Sequence, residues 1–143
     1  MGWTHYWYRE IELPQEQFKA AVNDCKKILA DLDIRLGDAV GKNNPVLTDE
    51  AIIFNGLNNE CEPFVFRRIQ YPKPGKDKVF TYCKTEHMPY DLAVQCCLIV
   101  LKHHLGDNIR IMSDGKQEDW IDAIGACVSC VSYGDDFVLS NKD

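Results

Sequence analysis

The sequence predicts an α+β domain in which three helices pack on a mostly antiparallel sheet of about five strands. Apolar residues alternate in several short segments, recur every three or four residues in three longer ones, and short turns separate three consecutive strands. The predicted order is β-α-β-β-β-α-β-α. With 143 residues, 45% hydrophobic and 27% charged, the chain has the size and composition of a single domain over residues 1–143.

The first two elements are a strand and an amphipathic helix. Residues 3–12 alternate, so the odd positions share one face of the strand while Tyr6 and Tyr8 lie on the other. Pro14 suits the start of a helix, where its missing N–H costs nothing. Residues 15–32 carry apolar side chains at three- and four-residue spacing, which predicts a helix with one buried face.

Three strands follow in the middle of the chain. Glycine, asparagine and proline make residues 37–45 a loop. Residues 51–54 form a short strand that ends at the turn pair Asn55-Gly56. Residues 64–69 and 79–83 are expected to pair as a hairpin across a proline-containing turn.

A buried helix organises the last third of the chain. Pro89 is suited to its first position, and residues 90–104 are apolar nearly all round, which predicts burial on every side. A strand at 108–112 and a helix at 119–131 come next, and residues 137–139 could add a short edge strand.

Charge and cysteine usage narrow the functional classes. A net charge of −6 disfavours general nucleic-acid binding, which needs a basic surface. Residues 62–84 nevertheless hold six basic residues against two acidic ones, and residues 107–143 hold eight acidic against three basic. One interpretation is that both segments are solvated surfaces. The other is that the basic segment borders an anionic ligand.

The chain is expected to be a cytoplasmic protein. Its N-terminus has no charged segment followed by an apolar one, and its longest mostly apolar run is too short for the roughly 20 residues that cross a bilayer. Seven cysteines, an odd number, indicate free thiols in a reducing compartment. We expect no membrane association, no cofactor and no bound metal.

The start of the buried helix is the leading candidate for a ligand site. Lys84 and Thr85 lie just before a helix end, where free amide N–H groups and the helix dipole favour an anion. These groups, with the amides before Tyr90, would hold a phosphate or carboxylate. Alternatively, Thr85 caps the helix and Asp91 itself answers the dipole.

Four further residues complete the predicted ligand site. His5 and Trp7 belong to an aromatic strand whose rings could stack on a base or a sugar, although large side chains there are also typical of a core. Asn55 and Asp114 lie in turns at strand ends, where polar residues line pockets or simply form the turn.

The motifs resemble a family of small uncharacterised proteins from bacteria and their phages. The likeness spans nearly the whole chain and rests on GWTHYW (residues 2–7), FNG (54–56), CKT (83–85), PYD (89–91), HLGD (104–107), SDG (113–115) and the pair at 119–120. The resemblance implies no activity and no catalytic residues. Its phage members imply, at most, a part in host–virus conflict. Other members carry an insertion after the Asn-Gly turn that this chain lacks.

Three functional hypotheses follow. The leading one is a small-molecule binding protein for an anionic ligand such as a nucleotide, which in a phage setting would sequester a defence signal and act against host defence. The second is an enzyme whose nucleophile is Cys83, activated by the helix start and Lys84, or whose centre is His5 with Asp114. The third is an acidic interaction or inhibitor module. A homodimer is compatible with all three.

Overall fold

Three helices and seven strands form the part of the chain that the structure, a computed structural model, describes: residues 2–141. Short 3-10 turns at Gly106–Asn108 and Gln117–Trp120 lead into the last strand and the last helix. In chain order the elements are β1 (Thr4–Arg9), α1 (Gln15–Asp31), β2 (Leu36–Gly37), β3 (Val46–Thr48), β4 (Ala51–Gly56), β5 (Phe64–Arg67), β6 (Val79–Lys84), α2 (Asp91–Leu105), β7 (Ile109–Ser113) and α3 (Ile121–Val131).

The strands form two antiparallel sheets. One has the order β6-β1-β7, so the first strand lies at its centre with His5 opposite both Cys83 and Ser113. In the other, β4 pairs with β2, β3 and β5. The predicted α+β class and its antiparallel pairing are confirmed, and the element order is roughly matched. The expected single sheet is replaced by sheets of three and four strands.

The predicted hairpin between residues 64–69 and 79–83 is wrong. β5 pairs with β4, whereas β6 pairs with β1. Residues 68–78 are longer than the roughly two to five residues of a tight hairpin loop, so nothing local forces the two strands together. This connection instead carries the chain from one sheet to the other.

Three local predictions also need correction. The predicted loop at 37–45 is bordered by β2 and β3, which are too short to give a periodic signal. β4 continues through Asn55 to Gly56, because β2 pairs with those two residues. Residues 137–139 form no strand.

The two faces of β1 are confirmed. His5, Trp7 and Arg9 face the core and are at most 1% exposed. On the other face Tyr8 is 38% exposed and Tyr6 is partly exposed, whereas Thr4 at the end of the strand is buried. A period-two pattern therefore set which side chains entered the core and which remained in contact with water.

The predicted burial of the second helix is also confirmed. α2 packs against α1, α3 and β7, and ten of its residues are buried on all sides of the helix. α1 starts directly after Pro14 and buries only one face, as its spacing predicted. The first turn of α2 contacts the end of the three-stranded sheet through Asp91, whose Oδ1 lies 2.7 Å from His5 Nε2.

A buried arginine links the two sheets. The Arg9 guanidinium donates to the carbonyl oxygens of Arg67, Arg68 (2.9 Å) and Ile11 (3.3 Å), and its carbon lies 4.6 Å from the Phe66 ring centre. Burial lowers the pKa of Arg9 to about 10. Carbonyl groups and an aromatic face thus replace the carboxylate that usually accompanies a buried cation.

Candidate functional site

A chain of hydrogen bonds crosses the end of the three-stranded sheet. Ser113 Oγ lies 2.8 Å from His5 Nδ1, and His5 Nε2 lies 2.7 Å from Asp91 Oδ1. The three residues come from β7, β1 and α2, so the contact exists only in the folded protein. His5 is fully buried, and the ring of Trp120 packs edge-on against it at 4.9 Å.

The Asp91 carboxylate has three side-chain partners in this hydrogen-bond network. Its Oδ1 also accepts a hydrogen bond from the Thr85 hydroxyl at 2.6 Å, and its Oδ2 accepts one from the Gln95 side-chain amide at 3.2 Å. Burial by itself raises the pKa of Asp91, but the hydrogen bond and charge of His5 and the hydroxyl of Thr85 hold the pKa below its ordinary value. The carboxylate is therefore ionised near neutral pH and acts as an acceptor.

The loop after β6 closes this end of the sheet. The Trp3 indole stacks on the His87 imidazole with ring centres 4.0 Å apart, and the Trp3 carbonyl accepts the N–H groups of Thr85 and Glu86. Glu86 and His87 have positive φ angles of 53° and 61°, which residues other than glycine rarely adopt. A Cβ on Gly115 would lie 2.5 Å from Trp3 Cη2, so only glycine leaves room for the indole.

Four of the seven predicted ligand residues meet near this end. His5 and Thr85 both bond Asp91, and Lys84 precedes Thr85 with its Nζ 3.6 Å from Glu86 Oε1. The fourth, Asp114, accepts the backbone N–H of Thr4 and the hydroxyl of Tyr6, each at 3.0 Å. The expected cradle around Lys84 and Thr85 is thus filled by the protein's own carboxylates.

The other three lie in the interior. Trp7 and Tyr90 belong to the core, with the Tyr90 hydroxyl donating to the Glu62 carbonyl. The Asn55 side chain donates to the carbonyls of Ala39 and Cys61 and accepts the N–H groups of Gly56 and Cys61. These contacts join the loop after β2, which contains Ala39, to the loop after β4, which contains Cys61.

Cys83 does not have the surroundings of a nucleophile. The thiol is fully buried and lies 3.5 Å from the Glu62 carbonyl. Burial raises the pKa of Cys83 far above its ordinary value, and the charges of Glu62 and Asp91 raise it further. The raised pKa and the burial both disfavour the thiolate that attack requires.

A second feature lies on the outward side of the same sheet. Tyr8, Phe80 and Tyr71 are 38%, 46% and 77% exposed, and their rings border a cavity of about 470 Å³. The cavity has the volume of a small-molecule site, roughly 300–1,000 Å³. We call it the aromatic–lysine cavity; its defining residues are Tyr8, Tyr71, Lys73, Lys76, Lys78 and Phe80.

A neighbouring cavity of about 490 Å³ shares Tyr8 and Lys78 but has fewer free cations. Its Lys102 donates to the carbonyls of Gly106 and Ile109 at the end of α2, and its Arg110 donates to the Asn141 carbonyl. The aromatic–lysine cavity is consequently the better place for an anion.

Sequence reasoning left several of these residues out of the predicted site. Asp91 was given only a helix-dipole role and Ser113 only a turn role, because nothing local pairs either with His5. For the aromatic–lysine cavity there was a signal: the basic segment 62–84 overlaps the outward-facing ring of Phe80. Only the fold shows that Tyr8 lies opposite Phe80.

No protein-family profile, no curated protein and no solved structure matches the chain.

Over residues 2–141, no group of three His, Cys, Asp or Glu side chains is arranged to hold a metal ion. Among the helices of the same residues, none combines the length and apolarity needed to span a membrane.

Proposed function

We propose that the protein binds an anionic ligand with an aromatic ring, such as a nucleotide, in the aromatic–lysine cavity. The observation that carries the proposal is the convergence of three exposed rings and three lysines on one cavity of about 470 Å³. Stacking of a base on an aromatic side chain contributes about 1–3 kcal/mol, and lysines act as point charges for phosphate. The ligand class is the one expected from the sequence. The proposed site is the aromatic–lysine cavity, whereas the sequence predicted a site around Lys84 and Thr85.

The charges around the cavity favour binding of an anion. Lys78 lies 3.5 Å from Glu10 Oε2, whereas Lys73 and Lys76 have no carboxylate at ion-pair distance within residues 2–141. Asp77 lies in the same turn and offsets one positive charge. Two lysines thus remain available to a phosphate group, although the whole chain carries a net charge of −6.

The cellular role is a further part of the proposal. All seven cysteines are free, which supports a reducing compartment such as the cytoplasm. We propose that binding without turnover sequesters a signalling nucleotide, the role that a resemblance to small proteins of bacteria and their phages would imply. The homodimer stays a prediction.

Calorimetry and thermal-shift measurements with ATP, AMP and a cyclic dinucleotide test the proposal. We expect at least one to bind with micromolar affinity, to raise the melting temperature and to bind more weakly as salt increases, because the phosphate–lysine contacts are screened. No binding and no shift with any of the three would overturn it.

Matched variants locate the site. Phe80→Ala should weaken binding about 5- to 150-fold, through a lost stacking contact of roughly 1–3 kcal/mol. Tyr82→Ala removes a ring of β6 that lies outside the cavity and is 55% exposed, against 46% for Phe80, and it should leave affinity unchanged. Lys73→Ala with Lys76→Ala should weaken binding and its salt dependence, whereas Lys26→Ala on α1 should not. Equal effects of the site and control variants would place the ligand elsewhere.

A further inference from the structure

The Ser113–His5–Asp91 chain has the geometry of an activated nucleophile. We propose that Ser113 is an acylatable nucleophile for a small carboxylic ester, that His5 is its base, and that Asp91 orients His5. Nucleophile and base must lie within hydrogen-bonding distance, with a third group that fixes the base. The separations of 2.8 and 2.7 Å meet both conditions. This inference does not rest on nucleotide binding, because the two sites lie on opposite faces of the sheet.

The hydrogen-bond donors allow one arrangement for neutral His5. The ionised Asp91 carboxylate can only accept, so Nε2 must carry the imidazole hydrogen and Nδ1 is left as an acceptor. Ser113 Oγ accepts the N–H of Gly115 at 2.9 Å, which leaves its own hydrogen to donate to Nδ1. The serine proton therefore already points at the base.

Ser113 also borders space for a substrate. It lines an open groove of about 500 Å³ beside β7, and Lys116, Phe137 and Leu139 form other parts of the wall. Lys116 and Asp135 bring one positive and one negative charge to this groove, and the two apolar side chains suit the acyl part of an ester. Ser113 is 6% exposed, and the proposal requires that a substrate reach its hydroxyl from this groove.

The reaction balances with water as the only co-reactant. Ser113 Oγ bonds to the carbonyl carbon while its proton moves to His5 Nδ1. The bond from that carbon to the alcohol oxygen breaks, and the leaving oxygen takes the proton from His5. Water then attacks the acyl group by the same route, releasing the acid and restoring the serine hydroxyl.

A fluorophosphonate probe tests the proposal on the native protein. Its phosphorus is attacked by an activated serine, so intact-mass and peptide mass spectrometry should find one adduct, on Ser113. His5→Gln and Asp91→Asn, checked for folding by circular dichroism, should slow labelling about 10²-fold or more, the usual contribution of a positioned base. A merely structural hydrogen-bond chain would give no adduct.

The matched control is Ser140, which lines the same groove without a histidine partner. Ser140→Ala should label like the native protein and Ser113→Ala should not label. The proposal is overturned by native protein that acquires no adduct on Ser113. Labelling of Ser140 at the same rate, or of urea-unfolded protein as fast as native protein, would overturn it equally.

Discussion

The Nε2 atom of His5 lies 2.7 Å from Oδ1 of Asp91, which joins the centre of the three-stranded sheet to the first turn of the buried helix. His5 is fully buried and the Asp91 side chain is 15% exposed. A bond between a ring nitrogen and a carboxylate in such surroundings is only weakly screened by water. Its contribution to stability depends on the charge of Asp91, and therefore on pH.

We predict that Asp91→Asn destabilises the protein by about 1.5–3 kcal/mol at pH 7, the usual contribution of a hydrogen bond to a charged group. The pKa of Asp91 is lower in the folded than in the unfolded chain. The stabilisation is therefore complete above the unfolded pKa of about 3.9 and is lost as the pH falls through the folded pKa. Urea unfolding at pH 7, 5 and 3 should show the difference between the two proteins shrinking in acid.

The control for this experiment is Asp33→Asn, an exposed carboxylate after α1. It should change the free energy of unfolding by less than about 0.5 kcal/mol at each pH. A difference between native and Asp91→Asn proteins that stays constant down to pH 3 would contradict the assignment.

Gly115 should not tolerate a larger side chain. Its Cβ would lie 2.5 Å from Trp3 Cη2 and 2.8 Å from Cζ2, so the indole would have to leave its place on His87. We expect Gly115→Ala to cost about 1–3 kcal/mol, as overpacking does, and to change the tryptophan fluorescence. Chemical denaturation measures the first effect and emission spectra the second.

Gly125 offers the opposite case on an exposed position of α3. A Cβ there meets nothing within 4 Å, and alanine favours a helix over glycine by about 0.5–1 kcal/mol. Gly125→Ala should therefore stabilise the protein. Equal effects of Gly115→Ala and Gly125→Ala on the free energy of unfolding would contradict the close approach of Trp3 to Gly115.

Asn55 should act as a structural link between loops. Asn55→Asp would place an acceptor against the carbonyls of Ala39 and Cys61, which the amide now satisfies. Each buried group left unsatisfied costs about 1–3 kcal/mol, so we expect a clear loss of stability. Hydrogen exchange should rise at residues 38–42 and 57–62. Asn44→Ala, in the exposed part of the same loop region, should leave both measurements unchanged.

The cysteines should react in two groups. Cys61 and Cys130 are partly exposed, whereas Cys83 and the other four are buried. Brief treatment of the folded protein with iodoacetamide should modify the two exposed thiols first, and Cys83 only after unfolding, because burial raises its pKa. Peptide mass spectrometry resolves the sites. Alkylation of Cys83 as fast as Cys61 would show that its strand opens readily.

Most of the candidate site could not be read from local sequence. His5 and Thr85 were predicted because each belongs to an element with its own signal, a polar residue on an inward strand face and one before a helix. Asp91 and Ser113 complete the chain, but they lie 86 and 108 residues from His5. No periodicity relates residues so far apart, so their contact depends on the packing of three elements.

By itself the sequence determined the α+β class, the helices α1, α2 and α3 to within a few residues, and the two faces of β1. These depend on the spacing of apolar side chains, which is a local property. Only the tertiary structure decided that β6 pairs with β1 instead of β5, that Lys84 lies beside Glu86, and that the Thr85 hydroxyl donates to Asp91. Strand pairing and site geometry follow from burying all apolar faces at once, which no single segment of the chain encodes.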